Sequence, residues 1–182
     1  MRRVVDLREM DRRLARRAIS WNAPWTRRVL PAVEEAAEHT KLWCAAAVVM
    51  AAAGGWRGRV AAAVGTGAMT VAQVLSNAVA KQLCSRHRPP EDWVPPEDLD
   101  DRPDSSSFPS GHTAAACAFT GAVASVWPAA GAACAVPAVM VAVERVHSGA
   151  HYPTDVAAGC AIGLAAATLV RAAPRLLWRH AF

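Results

Sequence analysis

The sequence predicts an all-α protein: an integral membrane helical bundle of about five transmembrane helices, preceded by an amphipathic helix at the N-terminus. Three observations carry that expectation. Hydrophobic residues fill 53% of the 182 positions and mean hydropathy is positive, yet 19% of residues are charged, so the charges are segregated from the apolar runs. Alanine is abundant and aromatics are only 6%, which favours helix over strand. Uncharged runs reach or approach the ~20 residues that cross a bilayer as helix. The length is one domain's worth of chain, divided into an amphipathic segment, 1–40, and a membrane-embedded part, 41–182.

In residues 1–40, Val4, Val5, Leu7, Met10, Leu14, Ala18 and Ile19 fall near helical spacing among Arg12, Arg13, Arg16 and Arg17, and Trp21 and Trp25 follow. Two placements suit such a helix: the interfacial plane of a bilayer, or docking on the protein itself. The net charge of +5 is concentrated in the first thirty residues, so it bears on a membrane surface rather than on nucleic acid. The basic N-terminus lacks the apolar core and cleavage site of a signal peptide.

Residues 42–56 are uncharged, a short span that Thr40 and Lys41 could extend by snorkelling; Arg57 and Arg59 then mark a turn. Residues 60–80 are the clearest transmembrane helix, with Asn77 expected to face other helices. Residues 81–108 turn Pro-rich and acidic (Glu91, Asp92, Glu97, Asp98, Asp100, Asp101, Asp104), the pattern of a water-exposed loop. Residues 112–143 carry no formal charge except an imidazole, and Pro128 and Gly131 divide them into two helices. After a polar connection at 144–155 comes the last apolar helix, 156–170, with Gly159 and Gly163 placed for close helix packing. Arg171, Arg175, Trp178 and Arg179 follow as an interfacial anchor. Parity then puts 81–111 and 144–155 on one face of the membrane.

That shared face gathers three polar stretches. Ser110-Gly111-His112 opens a helix, where Ser110 can cap and Gly111 lets an anion approach the free backbone N–H groups. Lys81, Arg88 and Arg145 share the face, and three cations around a helix N-terminus suit phosphate. His151 and Asp155 are four apart across Pro153: an aspartate accepting from one ring nitrogen leaves the other free as nucleophile. His112 could protonate a leaving oxygen. The five cysteines (Cys44, Cys84, Cys117, Cys134, Cys160) show no paired spacing and read as small buried hydrophobes; Cys84 with His87 lacks further partners for zinc.

These residues resemble the three-part signature of the type 2 phosphatidic acid phosphatase superfamily, which also includes vanadium haloperoxidases. The signature is Lys-x6-Arg-Pro, Pro-Ser-Gly-His and Ser-Arg-x5-His-x3-Asp. The chain has Lys81 with Arg88-Pro89, then Pro109-Ser110-Gly111-His112, then Arg145 with His151 and Asp155, in matching order and spacing. The resemblance covers roughly residues 60–170 and departs at Glu144, which stands at the signature's serine. A carboxylate there could repel a diphosphate or bind part of a headgroup. His87 and His147 lie at non-signature positions and are assigned no catalytic role.

The resemblance implies hydrolysis of a phosphomonoester or diphosphate through a phosphohistidine, with no metal and no cofactor. His151 would attack phosphorus, Asp155 orient it, and His112 protonate the leaving group. Lys81, Arg88, Arg145, Ser110 and Gly111 would hold the phosphoryl oxygens. The expected partner is a lipid phosphate in the bilayer, a polyprenyl phosphate of cell-envelope synthesis first and phosphatidic acid or phosphatidylglycerophosphate second. Two other readings are a haloperoxidase, disfavoured by the apolar spans, and a non-catalytic lipid-headgroup binding protein, which would need the cations but not the histidines. The acidic loop, Arg57, Arg59 and the C-terminal arginines place the site on the extracytoplasmic face, and the basic N-terminal segment opposes that.

Overall fold

The computed structural model describes residues 2–94, 99 and 105–181, with the backbone alone for 2–5, 79 and 174–181. The described residues contain helices and no strand. In order they are α1 (Arg2–Ile19), α2 (Thr26–Ala37), α3 (Lys41–Ala53), α4 (Gly55–Gln73), α5 (Lys81–Leu83), α6 (Gly111–Val126), α7 (Pro128–His147) and α8 (Pro153–Ala181). A π-helix, Val74–Ala80, joins α4 to α5. Glu97, Asp98, Asp100, Asp101 and Asp104 of the predicted acidic loop lie outside the described residues, as do the side chains of Arg175, Trp178 and Arg179.

Helices stand where the sequence predicts spans, but length and composition qualify fewer of them. α7 and residues Pro153–Ala173 of α8 are long and apolar enough to cross a membrane. The 13 residues of α3 and the 16 of α6 extend only about 20 and 24 Å at ~1.5 Å per residue, short of ~30 Å of hydrocarbon. The turn predicted at Arg57 and Arg59 comes earlier, at Gly54 and Gly55. Gly55 takes φ +57°, and both arginines lie inside α4.

α6 is the centre of the bundle, packed against α8, α4 and α7. Its Ala114, Ala115, Ala116 and Ala118 are buried beside Phe119 and Val123, so small side chains let neighbouring backbones come close. The closest approach is to α8. A Cβ on Gly159 would lie 2.4 Å from the Ser110 carbonyl oxygen, and one on Gly163 would lie 2.4 Å from that of Ala114. Glycine at those two positions seats the α8 backbone directly on the start of α6. Trp43 of α3 packs on Phe119, ring centroids 5.5 Å apart, and closes the other side.

The two ends of the bundle differ. At one, Arg57 Nε donates to the Val126 carbonyl at 2.9 Å, tying the α3–α4 turn to the α6–α7 turn. At the other, the ends of α5 and α7 meet the starts of α6 and α8. α1 docks there, burying Asp11, Ala15 and Ile19, with Ala15 against Val146 and Tyr152. Leu7, Met10 and Leu14 of α1 stay exposed, as do Trp21 and Trp25 beyond it. α2, which the sequence reading does not resolve as a separate helix, leads back to α3 along this same end. The cysteines depart from expectation: Cys44 and Cys84 are exposed, and Cys117, Cys134 and Cys160 are half-buried free thiols.

Candidate active site

A cavity of about 680 Å³ opens at the end where α1 docks. Lys81, Arg88, Gly111, His112, Arg145 and His151 line it, so six of the eight predicted site residues share one space. Ser110 and Asp155 stand behind it, both fully buried. The π-helix before Lys81 has wider turns than an α-helix and resets the direction of the side chains that follow. Asn77, inside that π-helix, lines the cavity and donates to Gln73 Oε1 at 2.5 Å, so the polar exception in the predicted span faces the site.

His151 lies in the loop between α7 and α8 and is 4% exposed. Its backbone N–H donates to the Arg145 carbonyl at 2.9 Å, and its Nδ1 lies 2.6 Å from the Ser107 carbonyl oxygen. A carbonyl only accepts, so Nδ1 carries the proton and Nε2 keeps a lone pair. Burial, reinforced by Arg88, holds the imidazole well below its ordinary pKa, which favours the neutral ring. His112 is in the first turn of α6, half-buried on the same cavity.

Asp155 corrects a sequence expectation. Its Oδ2 is 3.9 Å from His151 Nδ1, beyond hydrogen-bond reach. The turn at Pro153 aims the carboxylate instead at the Tyr152 N–H, 2.8 Å away, and at the Arg86 guanidinium, 2.6 Å away. The imidazole takes its orientation from Ser107, and Asp155 holds the loop that carries it. The Asp155 carbonyl also accepts from the Ser110 N–H at 3.0 Å, joining the start of α8 to that of α6.

Ser110 caps α6, its Oγ accepting from the Thr113 N–H at 3.4 Å and lying 3.0 Å from Thr113 Oγ1. That hydroxyl is turned into the helix rather than lining the cavity. Lys81 Nζ donates to Ser105 Oγ at 3.2 Å. Arg88 donates to the Ala150 carbonyl at 2.6 Å and to the Ser105 carbonyl at 3.2 Å, which fixes its fork against the rim.

Arg145 is the least exposed of the three cations, at 5%, and it is paired with Glu144 and with Glu34 of α2. Glu144 is buried on Arg145 and does not line the cavity, so it is not placed to meet a headgroup there. Glu34 and Glu35 of α2, with Glu38 just beyond its end, form one wall of the cavity. His147 Nδ1 lies 2.8 Å from the Ala18 carbonyl, outside the cavity, and His87 does not line it either. Among the described residues no group of three or more His, Cys, Asp or Glu is arranged to hold a metal ion.

Sequence reasoning left four contributors without a role: Arg86, Ser107, Asp11 and Glu34. Arg86 was visible as an extra cation inside the Lys81–Arg88 stretch. Ser107 acts through its backbone, and Asp11 and Glu34 reach the site only because α1 and α2 fold over it, so no local pattern marks them.

A helical bundle with three cations and two histidines lining one cavity at one end defines the class. The PAP2 superfamily matches residues 61–179, well over half of the chain, and the chain belongs to that superfamily. The fold is similar to the first transmembrane PAP2 type phosphatidylglycerolphosphate phosphatase from Bacillus subtilis, with a TM-score of 0.67 and 23% identity over 93% of this chain and 87% of that one. It is also similar to LpxE of Aquifex aeolicus, with a TM-score of 0.68 and 21% identity over 87% and 92%. At such identities the likeness is one of fold. Lipid A 1-phosphatase of Rhizobium etli is 46% identical over 57 residues, 31% of this chain. The matched stretch spans a quarter of that relative's length.

Proposed function

We propose that the protein is a membrane lipid phosphatase that hydrolyses a phosphomonoester or diphosphate without a metal, through a phosphohistidine. One observation carries the reading. His151, with Nδ1–H held by Ser107 and Nε2 left as nucleophile, shares a cavity with His112 and with Lys81, Arg88 and Arg145. Lys81, Arg88, Arg145 and the Gly111 backbone at the start of α6 hold the phosphoryl oxygens, while Ser110 caps that helix start. Nε2 attacks phosphorus, the bond from phosphorus to the lipid oxygen breaks, and His112 gives that oxygen its proton. Neutral His112 then takes a proton from water, whose oxygen attacks the phosphohistidine. Inorganic phosphate leaves and both histidines are restored.

The substrate class follows from the setting. The chain crosses the bilayer with about five helices in this reading, and the cavity lies at the headgroup level. A polyprenyl phosphate of cell-envelope synthesis is the first candidate, with phosphatidic acid and phosphatidylglycerophosphate next. The relatives named for lipid A and for phosphatidylglycerolphosphate support a lipid phosphate without selecting among these. The exposed Leu7, Met10 and Leu14 with Trp21 and Trp25 fit the bilayer interface around the cavity mouth.

The test is phosphate release by detergent-purified protein with EDTA present, from a polyprenyl monophosphate, a polyprenyl diphosphate, phosphatidic acid, phosphatidylglycerophosphate and lipid A, against His151→Ala. Release that survives EDTA and vanishes in the variant is expected. Headgroup binding with no release would make the chain a binding protein and end the phosphatase reading.

A further inference from the structure

Arg86 lies between the two signature cations Lys81 and Arg88, does not line the cavity, and contacts both of the groups that orient His151. Its backbone carbonyl accepts from the Ser107 N–H at 3.0 Å, and its own N–H donates to Ser106 Oγ at 3.1 Å. Ser107 in turn supplies the carbonyl on His151 Nδ1. The Arg86 guanidinium donates through Nη1 to Asp155 Oδ1 at 2.6 Å and to Thr154 Oγ1 at 2.7 Å. Its Cζ lies over the ring of Tyr152, the residue next to His151, 4.2 Å from the centroid.

The other arm of the guanidinium leaves the signature region altogether. Nη2 donates to Asp11 Oδ2 at 2.5 Å, and Asp11 is on α1, 2% exposed. Asp11 also accepts from the Thr154 N–H at 3.0 Å and from the Thr154 hydroxyl at 2.6 Å. Two buried carboxylates therefore share one planar fork, and the loop 151–155 is held from both sides. A lysine could neutralise the charge but could not reach Asp11, Thr154 and Asp155 in one plane.

We propose that Arg86, clamped by Asp11 of the docked N-terminal helix, is the positioning residue for the nucleophile His151. Its main chain sets the carbonyl that fixes the imidazole, and its side chain sets the carboxylate that fixes the loop. α1 is thereby part of the catalytic unit although it precedes the matched family region. The proposal rests on the phosphatase reading. It predicts a loss in the chemical step rather than in substrate binding, because neither Arg86 nor Asp11 lines the cavity. Displacing a reacting group by ~1 Å costs on the order of 100-fold.

The experiment is steady-state kinetics on full-length wild type, Arg86→Lys, Asp11→Asn and His151→Ala in detergent, with the lipid phosphate that wild type turns over best. Rates are normalised to folded protein by tryptophan fluorescence, well below each variant's melting temperature. The expected result is a kcat about 100-fold lower in Arg86→Lys and about tenfold lower in Asp11→Asn, with KM within about threefold of wild type. Single-turnover phosphorylation of His151 should slow by the same factors. Wild-type kcat in both variants, or a loss that disappears on normalisation, would overturn the proposal and leave the clamp a packing contact. No release by wild type would instead overturn the phosphatase reading, and the proposal with it.

Discussion

Burial and Arg88 push the His151 imidazole well below its ordinary pKa, which favours the neutral ring, and the Ser107 carbonyl selects one tautomer. Protonation would remove the Nε2 lone pair, so activity falls as pH falls through the folded-state pKa. That pKa is below the unperturbed value of ~6.5, so the acidic limb of kcat/KM is expected well below pH 6.5. A pH profile whose acidic limb sits at or above that value would contradict it. Glu34 makes a second residue-scale prediction. It occupies Arg145, one of the cations proposed to hold phosphate, and its side chain is 37% exposed, so the pair is partly screened. Glu34→Gln removes a competing anion, and KM is expected to fall about two- to fivefold with kcat little changed. An increase in KM would show that Glu34 helps to bind the substrate instead.

At the scale of elements, the contact between α6 and α8 decides whether the site forms. The Ser110 carbonyl leaves no room for a methyl group at Gly159, and the Ala114 carbonyl leaves none at Gly163. Gly163→Ala must push α8 off α6 and is expected to cost about 1–3 kcal/mol. Thermal unfolding in detergent should show a lower melting temperature, and activity should fall because Ser110 and Asp155 lose their shared hydrogen bond. An unchanged melting temperature would mean that the helices have slack there. The glycine pair was legible in the sequence as a packing signal, but the partner was not. Four-residue spacing says that something comes close, and only the assembled bundle says that it is the capped start of α6.

For the whole molecule, α1, α2 and the candidate site share one end, and the α3–α4 and α6–α7 turns share the other. We propose that the site end faces outward, following Arg57, Arg59 and Arg171 at the far end. The arginines of α1 pull the other way, and the clamp through Asp11 gives that helix a reason to stay at the site regardless of the charge rule. Trp56 is 79% exposed at the turn end. In a background lacking Cys44 and Cys84, Trp56→Cys in intact cells is expected to resist a membrane-impermeant maleimide and to react after permeabilisation. Labelling of intact cells would reverse the orientation.

The three signature stretches, the helical class and the break at Pro128 could be read from the chain because each is local. A run of apolar residues, a proline that cannot continue a helix, and fixed spacings between cations and histidines need no knowledge of what folds against them. The sequence also implied that these stretches meet, since parity alone returns them to one end. What it left open is set by contacts between residues far apart in the chain. Asp155 is four residues from His151, and spacing suggested a direct hydrogen bond; the bundle gives the carboxylate to Arg86 and Tyr152, and the imidazole to Ser107. Arg145 matched the signature, yet α2 folds over it and brings Glu34. Whether the N-terminal helix lay on a bilayer or on the protein could not be decided from its amphipathic pattern, because both surfaces reward the same apolar spacing. The tertiary structure shows that it docks on the protein through Asp11, a buried charge whose partner Arg86 lies 75 residues further along the chain, while Leu7, Met10 and Leu14 stay exposed.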